Sequence, residues 1–167
     1  MVRVFFDMDC VLADFERGVR EMCHMVTAYR AGRQDEAYDA LMWERIGKIS
    51  HFYDKLELMP GAKEMFDAVY GKYGPRCEIL TGIPKERRGI ATAGEDKISW
   101  TRRMLSPDVR VNIVYREQKP AYCTGKDCIL IDDLESNIRD WEKTGGTGIL
   151  FRSAEQTLTE MREKGLL

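Results

Sequence analysis

Residues 1–14 read M-V-R-V-F-F-D-M-D-C-V-L-A-D. Val2 to Phe6 is apolar, β-branched and aromatic, the composition of a short buried strand. At its end the polarity switches to Asp7 and Asp9, one residue apart. Residues two apart in a strand point the same way, so both carboxylates are expected to leave the sheet edge towards one spot. Open α/β sheets place their ligands outside the carboxyl ends of their strands. The pair is therefore a candidate active site rather than a surface accident.

Outward from this stretch, Leu12, Phe15, Val19, Met22, Cys23 and Val26 recur at helical spacing and predict a helix to about Arg30. Ala31-Gly32-Arg33 breaks it. A second helix is expected from about Gln34 to Lys48, with Tyr38, Leu41, Met42, Ile46 and Ile49 as its stripe. No strand signal lies between Val11 and Leu58, so this stretch reads as an inserted helical cap over residues 15–58. The core is then residues 1–14 and 59–167. Met59-Pro60-Gly61-Ala62 punctuates the return, and an amphipathic helix follows until Gly74-Pro75.

Cys77 to Leu80 reads as strand two, ending at Thr81-Gly82. A polar loop, Pro84 to Gly94, leads to a helix holding Ile98, Trp100, Thr101 and Leu105. Val109 to Tyr115 is strand three, Cys128 to Ile131 strand four and Thr147 to Phe151 strand five. A helix with Leu134, Ile138 and Trp141 precedes Gly145-Gly146. Ser153 with Gln156 makes a capping box for the last helix. Strands alternating with helices predict an α/β fold, a Rossmann-like three-layer sandwich with a mostly parallel five-stranded sheet.

The 167 residues suit one domain with a small insertion, and 44% hydrophobic content is enough to bury a core. A net charge of −2 carries no footprint for nucleic acid or an anionic membrane. Asp7 breaks any leader-like apolar run, and no run approaches membrane-spanning length. Five scattered cysteines without C-x-x-C spacing indicate neither a zinc site nor a disulfide framework. A cytoplasmic location with reduced thiols is the expectation. Gly145, Gly146 and Gly148 precede a strand rather than follow one, so they are turn residues and not a dinucleotide loop.

Polar residues recur where the buried strands end: Asp7 and Asp9, Thr81, then Asp132 and Asp133, with Lys119 ahead of strand four. Each pair of like charges at 4 Å costs roughly 4 kcal/mol at a protein-surface dielectric. A hard divalent cation resolves this, and oxygen-only ligands favour Mg²⁺. A Mg²⁺ site beside a lysine and a hydroxyl suits a phosphoryl group. Read alone, each motif has a plainer explanation: Thr81 and Asp132-Asp133 as helix caps, Lys119 as a solvated lysine. Their recurrence at successive strand ends favours a site.

The chain resembles the haloacid dehalogenase-like phosphohydrolases, and within them the 5'(3')-deoxyribonucleotidase family. D-M-D-C-V-L-A-D-F is similar to that family's D-x-D-G-V-L-A-D-F. I-L-T-G-I-P, Glu95-Asp96-Lys97 through Trp100, L-I-D-D and N-I-R-D-W-E-K-T-G-G-T-G-I-L-F follow in the family's order. The resemblance implies that Asp7 attacks phosphorus and forms an aspartyl-phosphate. It implies that Asp9 protonates the leaving oxygen and later activates water. Thr81 and Lys119 would hold phosphate oxygens. Mg²⁺ would bind Asp7, the backbone carbonyl of Asp9, and Asp132 or Asp133, the family pattern leaning to Asp133. The implied reaction is hydrolysis of a phosphate monoester, a (deoxy)nucleoside monophosphate before a sugar phosphate. A catalytically silent binding protein of the same fold is the competing class. Dimerisation is common in the family, so a homodimer stays open.

Three departures stand out. Cys10 replaces the usual glycine beside the acids, Gly82 stands where a serine is frequent, and the Lys119–Asp132 spacing is long enough to keep Lys126 as an alternative lysine. Phe15 occupies the place where the family stacks a base, with Gly82 beside the phosphate. Trp43, Phe52 and Tyr53 are candidates to complete an aromatic slot. Aromatics at helical spacing are more often core, and for Trp43 core is the better reading. His24 and His51 are assigned no chemistry.

Overall fold

The computed structural model describes residues 1–28, 30–32 and 35–167. Five parallel strands form one sheet in the order β3-β2-β1-β4-β5, with β1 at Arg3–Phe6, β2 at Cys77–Gly82, β3 at Val111–Val114, β4 at Cys128–Asp132 and β5 at Thr147–Leu150. Val4 aligns with Cys77 on one side of β1 and with Ile129 on the other. One sheet face carries Val4, Phe6, Ile79, Ile129, Ile131 and Ile149 into the larger core. There it meets α3 (Ala62–Tyr73), α4 (Ala93–Met104) and α6 (Ala154–Glu163). The opposite face, with Phe5, Leu80, Val114 and Leu130, packs on Ile138 and Trp141 of α5 (Glu135–Lys143) and on the end of a 3₁₀ segment, Arg116–Tyr122. The result is the α/β Rossmann-like sandwich that the alternation of strands and helices predicts.

The chain runs β1, β2, β3 to one side and then returns to lay β4 and β5 on the other. The switch point of such a sheet is the crevice between the first strand of each half, here β1 and β4. Asp7 N–H donates to Ile131 O across that junction at 2.9 Å.

Strand periodicity does not extend through the two acids. β1 ends at Phe6, and the Met8 carbonyl then accepts from the N–H groups of Leu12 and Ala13, both at 2.9 Å. This tight turn puts Cys10 at φ 60° and keeps Leu12 out of the helix assigned to it. The helix α1 is Phe15–Cys23, started by Asp14 Oδ1 accepting from Arg17 N–H. It stops well short of Arg30 because His24 is left-handed and its N–H donates to Val19 O; Val26 consequently lies exposed. The second helix, α2, is Glu36–Gly47, capped by Asp35. Met42 and Ile46 are its buried residues, whereas Leu41 faces out. Arg33 and Gln34, where the sequence puts the break and the second start, lie outside the described residues. At α6, Ser153 Oγ accepts from Gln156 N–H, while Gln156 reaches back to Arg152 N–H instead of Ser153.

The segment between β1 and α3 leaves and returns through one neck. Asp14 N–H donates to Glu57 O and Met59 N–H to Leu12 O, each at 2.8 Å. The neck is tied to the core by Trp100, fully buried on α4, whose indole N–H donates to Leu56 O at 2.7 Å. Among the described residues no helix is long and apolar enough to cross a membrane.

Replacing Trp100 by Phe leaves the Leu56 carbonyl without its buried donor and opens a small void. The expected loss is about 2–3 kcal/mol in urea unfolding, and a loss under 1 kcal/mol would show that the neck does not depend on this bond.

Candidate active site

Three neighbouring strands, β2, β1 and β4, end side by side, and the acids and hydroxyl named from the sequence sit on or just beyond those ends. Two buried lysines organise them. Lys119, 3% exposed, comes from the 3₁₀ segment on the α5 side of the sheet. Its Nζ lies 2.9 Å from Asp7 Oδ1 and 2.7 Å from Asp132 Oδ2. Burial by itself would lower the ammonium's pKa, but Asp7 and Asp132 outweigh it and hold the lysine charged.

Lys97, fully buried on α4, arrives from the opposite face. It donates to Asp9 Oδ2 at 2.6 Å, to Thr81 Oγ1 at 2.9 Å and to Gly82 O at 2.8 Å. The two acids of the opening motif are therefore gripped from opposite sides of the sheet. They do not leave it in parallel as strand alternation suggests, because the chain turns directly after Asp7.

Donor bookkeeping separates the lysines. An ammonium has three donors. All three of Lys97 are satisfied within the protein, whereas Lys119 makes two bonds and keeps its third donor at the wall of a cleft. Lys126, the alternative from spacing, is exposed at the start of β4, at the far end of the sheet.

The two acids after β4 also differ. Asp132 is fully buried and saturated: Oδ1 accepts from Leu134 N–H, both oxygens from Asn137 Nδ2, and Oδ2 from Lys119. Asp133 has no side-chain donor among the described residues and lines the cleft. Burial, then Asp7 and Asp132, push its carboxyl up to about 8. Burial likewise raises Asp7 to about 6, against the lowering pull of Lys119. Asp7, Asp132 and Asp133 each offer an oxygen, all within 4.8 Å of one another. An all-oxygen set of crowded acids, with charge left over after one lysine, fits a hard divalent cation. The Asp9 carboxylate is not in that set, being turned towards Lys97.

The cleft has a volume of about 380 Å³, within the range of small-molecule sites. Asp7, Asp9, Cys10, Gly82, Lys119 and Asp133 form its floor, and Phe15, Trp43 and Tyr53 part of its wall. Phe15 and Tyr53 rings lie 6.1 Å apart, nearly parallel. Phe52 belongs elsewhere: fully buried, it packs edge-on behind Phe15 and Tyr53 as core, not as slot. Trp43, for which core is the better sequence reading, instead reaches the cleft, its indole N–H held by Asp39 at 3.1 Å. Thr81 is fully buried with its hydroxyl on Lys97 and is not in the cleft wall. Burial and the surrounding acids push the Cys10 thiol up, away from nucleophilic use.

Three contributors carry no role in the sequence reading, although Lys97 and Asn137 fall within the segments quoted for the resemblance. Lys97 shares a face of α4 with Ala93, Trp100 and Thr101, and a lysine on an otherwise buried stripe is a legible signal. Asn137 sits on the first turn of α5. Arg116, three residues before Lys119, also lines the cleft.

No protein-family model matches the chain, and no curated protein sequence matches it. Solved structures do. A HAD family hydrolase from Deinococcus radiodurans R1, with bound phosphate and sodium, superposes with a TM-score of 0.57 at 14% identity, over 99% of this chain and 96% of that one. A Had-superfamily hydrolase from Ehrlichia chaffeensis gives 0.54 at 14% identity, over 96% of both chains. A hydrolase from Pseudomonas syringae gives 0.54 at 15%, over 100% and 92%. The chain thus has the fold of HAD hydrolases.

Two measurements test the site. Replacing Lys97 by Met leaves Asp9 Oδ2 and Gly82 O without their donor. Because Asp9 is partly exposed, the expected destabilisation is about 2–3 kcal/mol, below that for a wholly buried pair; an unchanged urea midpoint would remove Lys97 from this role. Mg²⁺ at ten times its Kd is expected to stabilise the protein by about 1.4 kcal/mol, a rise of roughly 3–6 °C in melting temperature. Asp133→Asn should lose that rise; a rise that persists would place the cation elsewhere.

Proposed function

We propose that this protein is a Mg²⁺-dependent phosphomonoesterase acting on (deoxy)nucleoside monophosphates through an aspartyl-phosphate on Asp7. The observation that carries the reading is the division between the two acids. Asp7 lies at the sheet's switch point beside Lys119 and two further carboxylates. Asp9 Oδ2 is locked by Lys97 while Oδ1 is buried without a hydrogen-bond partner among the described residues. One acid is paired with a cation at the cleft, and the other has one oxygen with no partner in the protein.

In this reading an oxygen of Asp7 attacks phosphorus and displaces the alcohol, which takes its proton from Asp9. Asp9 then removes a proton from the water that cleaves the acyl-phosphate. Lys119 directs its third donor at a phosphoryl oxygen and offsets the charge that develops there. Lys97 keeps Asp9 oriented and touches no substrate atom. Mg²⁺ would be held by Asp7 and Asp133, with the Asp9 carbonyl as a third ligand, and would supply charge neutralisation of the phosphoryl oxygens. Asp132 orients Lys119 in place of ligating the metal, since all its lone-pair directions are used. The bound phosphate of the Deinococcus radiodurans hydrolase, a protein of the same fold, is in keeping with a phosphoryl ligand.

The nucleotide part of the reading rests on Phe15, Tyr53 and Trp43 in one cleft wall, a surface suited to a planar base. A sugar phosphate is the second reading, favoured by Glu16 and Asp39 in the same wall, because carboxylates accept from hydroxyl groups. We also place the protein in the cytoplasm, with a small-molecule partner and no nucleic acid.

Phosphate release in Mg²⁺ across nucleoside monophosphates and sugar phosphates tests this. Asp7→Asn is expected to abolish turnover, and Asp9→Asn to reduce it by roughly 10²–10⁴-fold. Phe15→Ala should erase a preference for nucleotides over sugar phosphates. Undiminished turnover in Asp7→Asn would overturn the mechanism, and a substrate ranking unmoved by Phe15→Ala would overturn the nucleotide reading.

A further inference from the structure

Among the cations around the cleft, Arg116 is the exception. The charge of Lys119 is paired with Asp7 and Asp132, that of Lys97 with Asp9 and that of Arg88 with Asp39. Arg116 has no carboxylate within ion-pair distance among the described residues. It is nevertheless fixed: Nε donates to Asn137 Oδ1 at 2.7 Å and Nη2 to Ser136 Oγ at 2.5 Å. Both partners are neutral. With five donors of which two are used on neutral acceptors, the guanidinium keeps three N–H groups for a ligand.

Arg116 lines the same cleft as Asp7, Lys119 and Asp133. Arg116 and Lys119 are three apart in a 3₁₀ segment, where side chains three apart eclipse, about 6 Å along the axis. Lys119 is offset by Asp7 and Asp132, whereas Arg116 feels Glu117 and Asp140 only through space, without an ion pair. Asn137 joins the two through Asp132, since its Oδ1 accepts from Arg116 and its Nδ2 donates to the carboxylate that holds Lys119. Gly82, at the end of β2, lies beside the Arg116 backbone, where an added Cβ would make ordinary contact at 3.7 and 3.8 Å. Gly82 is also the position with no hydroxyl to offer a phosphate oxygen.

We propose that Arg116 binds the non-bridging oxygens of the phosphoryl group being transferred, supplying the donor that Gly82 lacks. This rests on the phosphomonoesterase reading for its substrate but is tested independently of turnover. Inorganic phosphate is titrated calorimetrically in Mg²⁺ into the wild-type protein, Arg116→Ala and Arg116→Lys, with thermal melts as a fold control. A small aryl phosphate, which has a single phosphoryl group, is the kinetic substrate.

Arg116→Ala is expected to bind phosphate at least tenfold more weakly and to raise KM for the aryl phosphate by a similar factor, while still melting cooperatively as a folded protein. Arg116→Lys should recover only part of the affinity, because a point charge does not replace a planar fork. Phosphate affinity within twofold of wild type in Arg116→Ala overturns the proposal. So does wild-type protein that binds no phosphate, or a defect confined to substrates carrying a second phosphate. Arg116-dependent phosphate binding in a protein that hydrolyses no monoester supports this assignment while refuting the hydrolytic reading.

Discussion

The structure depends on one buried ammonium between two buried carboxylates. Lys119, Asp7 and Asp132 are all removed from water, and none of them is tolerable there alone. Together they join the ends of β1 and β4 to the 3₁₀ segment on the α5 side, across the junction where the sheet reverses its order. The desolvation cost is offset only because the geometry is closed: Asn137 and the Leu134 N–H take the remaining lone pairs of Asp132. Removing any member would strand a charge, so this arrangement holds the site's floor rigid before a ligand arrives.

A second ammonium repeats the device on the other face. Lys97 joins α4 to the turn after β1 and to the end of β2, and its three bonds leave no donor free. The two lysines therefore have different uses although both are buried beside an aspartate. One is a fixture that orients Asp9; the other retains a donor at the cleft. Arg116 completes the sequence with neutral partners. The count of donors, more than the nature of the residues, separates support from chemistry.

The alternation of strands and helices, the polar residues at each strand end and the interruption between Val11 and Leu58 are all local features, and they were legible without coordinates. Helix ends were less so. His24 terminates α1 by adopting a left-handed backbone, which a histidine does not announce. Leu12 and Leu41 fit a helical period on paper, but a turn claims the first and the second faces water. Phe52 and Trp43 exchanged roles for a similar reason: aromatic content marks both core and slot, and only the packing of Phe15 and Tyr53 decides which ring is sealed. Lys97 stands in a segment quoted for the resemblance, but its partner Asp9 lies 88 residues away and only the fold brings them together.

By itself, then, the sequence determined the layered α/β architecture and the set of acids at the strand ends, because period, propensity and turn chemistry act between near neighbours in the chain. Tertiary structure decided which lysine serves which acid, that Asp132 is saturated while Asp133 is open, and that Arg116 is held by neutral partners. These are matters of desolvation and of a finite number of hydrogen-bond donors. Both are settled only when groups distant in sequence share the same few ångströms.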